Sequence, residues 1–432
     1  MEQSVKKSVF VWISPPVRIL LGMVAGAAVG LTFGSRVAGL GEIGKVVIGL
    51  IKMLATPLIL FVILDALLRS SLKAKNGYRI IGVSMINGIF ALAIALILAN
   101  TLKPGRVLEP PTSTTPVVMP GARPLRILED MLGMIPTNLV DPFRNNAIIP
   151  VVLLAVCVGI ALRKFKSEQI ESGTTDYLAI EGFVAGGLRS SELLLGWVVA
   201  LLPIAVFAVM AQSIGTQGLS ILGGLAKYAG VVLLGLLLQI GLVYQGWLVL
   251  FARMPLKTFW TAVKTPVIFA AGSSSSLATL PITPRSLKQL GVSDGSARMS
   301  ACVATNLNND GILLYEALAA MIVAQAFGIS LSFGEQLVIA ATCVLATIGV
   351  AGVPESGMIS LAVVLTSAKL PLELLPLMLT VDWILGRARA ITNVVGDCIG
   401  AVVLDRFEAN DDALIEKQPV CVDPPSQWAT AE

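Results

Sequence analysis

The sequence contains no histidine and little charge. None of its 432 residues is histidine, and aspartate, glutamate, lysine and arginine together make up 13%. The lack of histidine excludes general bases, catalytic triads and metal sites that depend on an imidazole. Soluble globular domains carry about 25% charged residues, so this composition does not fit an ordinary soluble domain.

Cysteine usage and net charge exclude further classes of protein. The net charge is only +4, and the basic residues cluster in short loops, which membrane topology explains better than nucleic-acid binding does. The five cysteines show no CxxC or other ligand spacing, so we expect them to be packing residues rather than metal ligands. These are Cys157, Cys302, Cys343, Cys398 and Cys421.

Long apolar runs dominate what is present. Hydrophobic residues make up 55% of the chain, and no soluble-looking domain stands apart. This pattern predicts an all-α polytopic membrane protein consisting of a single domain, 1–432. The predicted spans are 17–35, 42–69, 79–102, 147–163, 187–212, 218–252, 297–328 and 372–405.

Two further apolar segments are interrupted at their centres. Residues 258–290 contain four consecutive serines, Ser273–Ser276, and residues 334–369 contain the glycine- and proline-rich stretch 347–357. A continuous spanning helix would leave backbone groups unsatisfied in lipid at such breaks. We therefore predict two re-entrant helical hairpins.

The hairpins define an internal repeat. Residues 258–328 and 334–405 each contain an interrupted hairpin followed by a span with polar residues. Basic clusters flank the first span and the joints after spans two, four and six, which predicts that this side and both termini are cytoplasmic. The two units then have inverted topology, which is typical of secondary transporters.

The last predicted span carries charge. At about 100° per residue, Asp382, Gly386, Arg389, Asn393 and Asp397 share one stripe. Ionisable groups inside a membrane usually face a protein interior or a wet cavity. Arg389 suits an anionic carboxylate, whereas Asp397 and Asn393 suit a hard cation such as sodium. The alternative is a structural network in which Arg389 pairs with Asp382 or Asp397.

A second polar group interrupts the preceding span. Asn306, Asn308, Asn309 and Asp310 are followed by Gly311, which favours local unwinding and a cation site. A polar kink satisfied by neighbouring helices is the alternative. The Ser273–Ser276 run favours an anion at a hairpin tip, because a serine nucleophile would lack a histidine and a GxSxG motif.

These motifs resemble the dicarboxylate/amino acid:cation symporter family, which includes glutamate transporters and C4-dicarboxylate carriers. The resemblance rests on "SSSSLATLPIT", "NNDGILLYEALAAMIVAQ", "IGVAGVPESG" and "DWILGRARAITNVVGD", and covers residues 17–406. It implies a homotrimer in the plasma (inner) membrane. It also implies an elevator mechanism, in which a transport part (79–102 and 218–405) moves against a scaffold (17–78 and 147–212). Residues 406–432 form a polar C-terminal tail.

The resemblance also implies roles for individual residues. Substrate contacts would come from both hairpin tips and the last span, namely Ser275, Ser276, Gly352, Val353, Arg389 and Asn393. One sodium site would use Asn308, Asn393 and Asp397, and Asp310 would contribute to another. Carbonyl groups around a third site, linked to the outer gate, would come from Asn306, Asn309, Thr347 and Ile348.

Departures from the family pattern bear on the substrate. Gly386 stands where the family usually has an aspartate that holds the substrate ammonium, and Ala390 replaces a substrate-contacting threonine. Asn309 and Ile312 replace a methionine and a threonine, and span three has Asn87 and Gly88 in place of a hydroxyl pair. The anion end of the site is therefore retained, while the ammonium end is missing.

The sequence thus predicts a symporter, with no catalytic residue and no cofactor, that couples cation entry to uptake of a small dicarboxylate. Sodium is the expected cation, and proton coupling is an alternative. Uptake of an acidic amino acid is the closest alternative for the substrate. A channel or an intramembrane serine hydrolase fits less well, because a channel needs no closable site and the hydrolase lacks a base.

Overall fold

The computed structural model describes residues 15–69, 74–108, 138–144, 148–280, 282–293, 296–297, 300, 308–349 and 356–416. Within these residues the chain forms helices joined by turns, without strands, which confirms the all-α prediction. The calls on Asn306, Gly352 and Val353 lie outside the described residues, and so does most of the 406–432 tail.

Fourteen helices make up most of the described residues, besides the one-turn helix Asp141–Arg144 and short 3-10 segments. The first six are α1 (Pro15–Phe33), α2 (Gly41–Arg69), α3 (Ala74–Leu102), α4 (Ile148–Ser172), α5 (Tyr177–Ala200) and α6 (Leu202–Gln217). The others are α7 (Ser220–Ala252), α8 (Leu256–Ser273), α9 (Thr283–Lys288), α10 (Asp310–Ala326), α11 (Phe333–Gly349), α12 (Ser356–Ser367), α13 (Leu375–Leu379) and α14 (Asp382–Glu416).

Few of these helices are long and apolar enough to cross a membrane. By length and composition, three stretches of the described chain qualify, namely Val17–Val47, Tyr78–Leu102 and Ser220–Ala252. A fourth qualifies if α5 and α6, which meet at 41°, form one broken span. The prediction of eight spans goes beyond these three or four stretches and stays a prediction.

Two predicted spans are divided in the structure. The span predicted at 187–212 is wrong as one continuous helix, because α5 ends at Ala200 and α6 begins at Leu202 with Pro203 in its first turn. Proline fixes φ and has no N–H, so it is tolerated at a helix start and breaks a helix interior. The span predicted at 372–405 is likewise divided, between α13 and α14.

Both interrupted segments form helix pairs. The first consists of α8 and α9, separated by a turn at which Ser274 has a left-handed φ of 54°. The second consists of α11 and α12, which pack against each other. These breaks agree with the interruptions seen in the sequence, whereas re-entry into a membrane is not tested by the fold.

Glycines allow α1 to pack closely on α6. A side chain at Gly22, Gly26 or Gly30 would overlap a backbone carbonyl oxygen of α6. Small residues four apart let helix backbones approach in this way, as in the membrane helix pairs whose interfaces carry small residues.

The central helix of the second half is α10. Every residue from Asp310 to Ala324 is buried, and the helix packs against α3, α11, α12 and α14. Helix α14 in turn packs against α7, α8 and α10. The polar N-terminus of α10 is therefore held against the charged stripe of α14, deep inside the protein.

Candidate functional site

The charged stripe of α14 faces the protein interior. The side chains of Asp382, Arg389, Asn393 and Asp397 are buried. Arg387 is only partly buried and donates to the carbonyl oxygen of Trp383, one turn earlier on the same helix. The helical period predicts this difference, because it places Arg387 on another face of α14 than the buried stripe.

Arg389 forms an ion pair within α14. Its Nη1 donates to Oδ1 of Asp382 at 2.6 Å, and its Nη2 donates to Oδ2 at 3.0 Å. The side chains are 6% and 10% exposed, so the pair is shielded from water. This arrangement is the one that the structural alternative described, with Asp382 rather than Asp397 as the partner.

Two further groups enclose the guanidinium. The Tyr315 ring of α10 lies 4.0 Å from the Arg389 Cζ, a distance at which a cation is attracted to the ring face. On α12, a Cβ added at Gly357 would lie 2.7 Å from Cζ. Gly386 also adjoins the pair, since a Cβ there would lie 3.5 Å from Nη2 of Arg389.

Asn393 joins α14 to the start of α10. Its Oδ1 accepts from the backbone N–H of Gly311 at 2.8 Å, and its Nδ2 donates to Oδ1 of Asn309 at 3.2 Å. Gly311 permits this approach, because a Cβ there would lie 2.7 Å from the carbonyl oxygen of Arg389. Asn309 is the N-cap residue of α10, and its carbonyl oxygen accepts the first hydrogen bonds of that helix, at 3.0 and 2.9 Å.

Asn308 connects Asp310 and Asp397. With its amide turned so that nitrogen faces the acceptors, Nδ2 donates to Oδ2 of Asp310 at 3.1 Å. Its oxygen then accepts from the backbone N–H of Asp397 at 3.2 Å. Asn308, Asn309, Asp310, Asn393 and Asp397 thus form one buried group of oxygen-rich side chains, which are ligands that hard cations prefer.

Helix α7 supplies polar partners that the sequence reasoning missed. Tyr244 donates to Oδ2 of Asp310 at 2.7 Å, and Nε1 of Trp247 donates to Oδ1 of Asn87 at 2.6 Å. Both lie in π-helical turns of α7, Gln239–Tyr244 and Trp247–Ala252. Such turns often occur at functional sites, and their signal in sequence was a tyrosine and a tryptophan within an apolar helix.

Glu316 is another buried acid that the sequence reasoning missed. Its side chain is fully buried on α10, and its Oε2 accepts from the Thr347 hydroxyl of α11 at 3.1 Å. The expectation for Thr347 concerned its carbonyl group as a cation ligand. The bond to Glu316 is made by its hydroxyl and does not bear on that expectation. The signal in sequence was a lone acid within the apolar stretch 311–324.

The serine turn is organised by its own backbone. Ala278 N–H donates to the Ser275 hydroxyl at 3.3 Å, and the Thr279 hydroxyl donates to the Ser276 carbonyl oxygen at 2.5 Å. No hydrogen bond among the described residues joins Ser275 or Ser276 to α14. Ile348 lies within α11, and its side chain is not among those described.

The described residues contain no group of three or more aspartate, glutamate or cysteine side chains that could hold a resident metal ion. The buried acids are instead accompanied by amides and hydroxyls. This donor set suits a transiently bound sodium ion better than a transition metal, which prefers sulfur or imidazole ligands.

Comparison with known proteins places this sequence in a family. The model of the sodium:dicarboxylate symporter family matches residues 16–407. The chain belongs to the sodium:dicarboxylate symporter family. The family resemblance seen in the sequence is thereby confirmed, and the family consists of transporters rather than enzymes.

Individual family members are similar over most of their length. The C4-dicarboxylate transport protein of Laribacter hongkongensis is 30% identical over 401 residues, covering 90% of this chain and 89% of the relative. C4-dicarboxylate transport protein 3 of Ralstonia nicotianae is 29% identical, covering 90% and 88%. Excitatory amino acid transporter 1 of Ambystoma tigrinum is 27% identical over 421 residues, covering 85% and 77%.

Proposed function

We propose that this family member couples sodium entry to the uptake of a small dicarboxylate. The observation that carries the proposal is the buried Arg389 guanidinium, which binds a carboxylate through two nitrogens. A planar guanidinium fork is suited to that geometry. The carboxylate in this structure belongs to Asp382, and its bond to Arg389 supports the proposal that the same guanidinium binds a substrate carboxylate.

Gly386 favours a dicarboxylate over an amino acid. It adjoins Arg389 and Asp382 but offers no carboxylate to a substrate ammonium group. Burying an ammonium group without a partner costs several kcal/mol, of the order of 3–5 when one member of a buried pair is removed. A substrate that carries a carboxylate in place of the ammonium avoids that cost.

The other proposed substrate contacts follow from the resemblance. Asn393 lies next to Arg389 on the buried face of α14, which supports its role. Contacts from the two helix pairs would come from Ser275 and Ser276 on one side and from Gly352 and Val353 on the other.

The buried acids are the proposed cation sites. Asn309 and Asn393 are hydrogen-bonded to each other, and Asn308 is hydrogen-bonded to Asp310 and to the backbone N–H of Asp397. Both sets bring oxygen atoms, the ligands that hard cations prefer, to the start of α10. The carbonyl groups of Asn306, Thr347 and Ile348 would complete a site near the second helix pair. Bound sodium would offset the negative charge of Asp310 and Asp397 and lower the cost of enclosing the site.

The proposed movement follows from the helix breaks. The pairs α8–α9 and α11–α12 would enter and leave the membrane on one side each, as broken helices do around transporter sites. Residues 79–102 and 218–405 would move as the transport part of an elevator, against a scaffold of 17–78 and 147–212. Three copies would form a trimer in the plasma (inner) membrane, with both termini cytoplasmic.

Uptake by purified protein in liposomes tests this function. We expect an inward sodium gradient to drive accumulation of succinate, malate or fumarate. Arg389→Lys keeps the charge but loses the fork, so we expect its KM for the dicarboxylate to rise at least about tenfold, the value of one charge-assisted hydrogen bond. Uptake that is saturable and gradient-driven excludes a channel, and an unchanged KM in Arg389→Lys would contradict the role of Arg389.

Uptake of an acidic amino acid is the second candidate. It is favoured by the similarity to a relative named as an excitatory amino acid transporter. Aspartate and glutamate therefore belong in the same uptake panel. If aspartate uptake is clearly more efficient than succinate uptake, the proposed substrate is an acidic amino acid rather than a dicarboxylate.

A further inference from the structure

Tyr244 and Asp310 form a fully enclosed pair. The tyrosine is buried on α7, and the aspartate is buried in the first turn of α10. The phenol donates to Oδ2 of Asp310 at 2.7 Å, the length of a strong hydrogen bond to a charged oxygen. Because a phenol is uncharged, Tyr244 holds the carboxylate without cancelling its negative charge.

The Asn308 amide provides a second donor to the same oxygen. With its nitrogen turned toward the acceptors, its Nδ2 donates to Oδ2 of Asp310 at 3.1 Å. A carboxylate oxygen has about two lone-pair positions, so these two donors saturate Oδ2. The other oxygen, Oδ1, lies toward α3, where a Cβ at Gly88 would be 3.9 Å away. The carboxylate is therefore held with Oδ1 toward a position that carries no side chain.

A glycine on α14 makes room for both donors. A Cβ at Gly396 would overlap the Asn308 amide and would lie 2.5 Å from the Tyr244 hydroxyl oxygen. Any larger residue at this position would push the two donors away from Asp310. Three helices, α7, α10 and α14, thus meet at one carboxylate.

The backbone of α7 brings Tyr244 to this carboxylate. Tyr244 is the last residue of the π-helical turn Gln239–Tyr244. A π turn closes its hydrogen bonds over five residues instead of four, so it changes the direction of the side chains relative to a regular α-helix. Turns of this kind are rare and frequently lie at functional sites.

We propose that Tyr244 is a positioning residue for cation binding, which together with Asn308 fixes the Asp310 carboxylate so that Oδ1 is presented to the ion. This inference rests on the proposed function, in which Asp310 is a cation ligand. A carboxylate that is already fixed loses little conformational freedom when an ion binds, whereas a free carboxylate has to be ordered at that moment. Tyr244 acts through Asp310 and is not itself a ligand.

The test is Tyr244→Phe in liposome uptake, because this change removes one oxygen atom and keeps the ring. We expect the sodium concentration for half-maximal succinate uptake to rise at least about tenfold, as for the loss of a hydrogen bond to a charged group. The KM for succinate at saturating sodium should stay unchanged, since the phenol holds Asp310 rather than Arg389. Tyr78→Phe removes the same atom from an exposed tyrosine of α3 and is the matched control.

Gly396→Ala tests the same role from α14. The added methyl group displaces the phenol and the amide but leaves both in the chain, so it should also raise the half-saturating sodium concentration at least about tenfold. Gly400→Ala, one turn later, is the control, because the nearest atom to its new Cβ would be Cδ1 of Ile80 at 3.2 Å. In the double variant of Tyr244→Phe and Gly396→Ala the two increases should not add, because both act on one carboxylate.

Sodium binding to the purified protein gives a measurement that does not depend on uptake. Sodium that binds the folded protein raises the thermal unfolding midpoint in detergent, and choline at equal ionic strength is the reference. Tyr244→Phe should need at least about tenfold more sodium for the same rise. The midpoint in choline reports any loss of stability separately, and Gly396→Ala serves for this measurement if Tyr244→Phe does not fold.

The outcomes separate this inference from the proposed function. If the parent shows sodium-driven uptake and both variants keep its half-saturating sodium concentration, Tyr244 has no positioning role and the proposed function stands. A KM for succinate that rises in parallel with the sodium requirement indicates structural damage and also overturns the positioning role. A parent protein that accumulates dicarboxylate without sodium overturns both.

Discussion

Residue 386 adjoins both members of the buried ion pair. A Cβ at this position would lie 3.5 Å from Nη2 of Arg389 and 3.9 Å from Oδ2 of Asp382. A longer side chain here would therefore reach the carboxylate-binding edge directly. The backbone of α14 is helical at this point, so the position accepts other residues without strain.

Gly386→Asp should change the preferred substrate. The new carboxylate would attract a substrate ammonium and repel the second carboxylate of a dicarboxylate, and like charges so placed cost several kcal/mol. We expect the ratio of aspartate to succinate uptake efficiency to rise at least about tenfold, equivalent to about 1.4 kcal/mol. Competitive uptake of the two substrates in liposomes measures this ratio.

Gly386→Asn is the control for size. It adds nearly the same volume without a charge, so it should slow uptake of both substrates without favouring aspartate. An equal change of selectivity in both variants would show that space rather than charge at residue 386 selects the substrate.

The sequence predicted the buried face of α14 but left two candidate partners for Arg389. Asp382 lies seven residues before it and Asp397 eight residues after it, and both spacings return to the same face of a helix. Side chains in a helix lean toward its N-terminus, which favours the earlier partner. The sequence reasoning had not used that direction, so it could not choose.

At the scale of helices, the backbone contact between α1 and α6 depends on glycine. Gly26 packs against the carbonyl oxygen of Phe207. A Cβ added at Gly26 would lie 3.0 Å from the Cβ of Met210. Gly26→Val would force the two helices apart, and overpacking of this kind typically costs about 1–3 kcal/mol.

We expect Gly26→Val to lower the thermal unfolding midpoint in detergent by several degrees and to reduce the yield of folded protein. Gly196→Val on α5 is the matched control, because a Cβ there meets no atom within 4 Å. Unfolding followed by circular dichroism would reveal the difference. Equal stability of the two variants would contradict the close packing of α1 on α6.

Helix breaks were only partly predictable. Turn-forming residues predicted two of the breaks. They are the serine run in 258–290 and the glycine- and proline-rich run in 334–369. The bend at Leu201 and the break before Asp382 lie within apolar sequence, where hydropathy gives no signal. Pro203 was the available indication for the bend, since it lies in the first turn of the helix that follows it. Pro376 lies at the start of α13, which precedes the second break, so it does not indicate that break.

At the scale of the whole molecule, the buried acids raise the question of the driving ion. Glu316 is enclosed by α10 and α11, and its Oε1 has no hydrogen-bond partner among the described residues. An acid inside a membrane protein commonly takes part in ion or proton transfer. Proton coupling is therefore the competitor of sodium coupling.

We expect a sodium gradient alone to drive dicarboxylate accumulation, and a proton gradient alone to drive none. Glu316→Gln keeps an acceptor for Thr347 and should retain sodium-driven uptake. Glu168→Gln, at an exposed acid of α4, is the control. If a proton gradient drives accumulation in the parent but not in Glu316→Gln, the coupling ion is a proton bound at Glu316 rather than sodium.

The helical class and the family could be predicted from the sequence, because composition and motif order determine both. The polar partners on α7 could not. Tyr244 and Trp247 read as ordinary members of an apolar helix, and only the packing of α7 against α3 and α10 turns their polar ends toward Asn87 and Asp310. A tyrosine or tryptophan has an apolar body and a polar end, and sequence does not say which end is used.

The contact between Gly357 and Arg389 also has a consequence for the strength of carboxylate binding. Helix α12 covers a face of the guanidinium with bare backbone, so separating α12 from α14 would let water reach the charge. A cation in water binds a carboxylate weakly, and the same pair is much stronger once water is excluded. The position of α12 relative to α14 therefore sets how strongly Arg389 holds a carboxylate, including the carboxylate of Asp382.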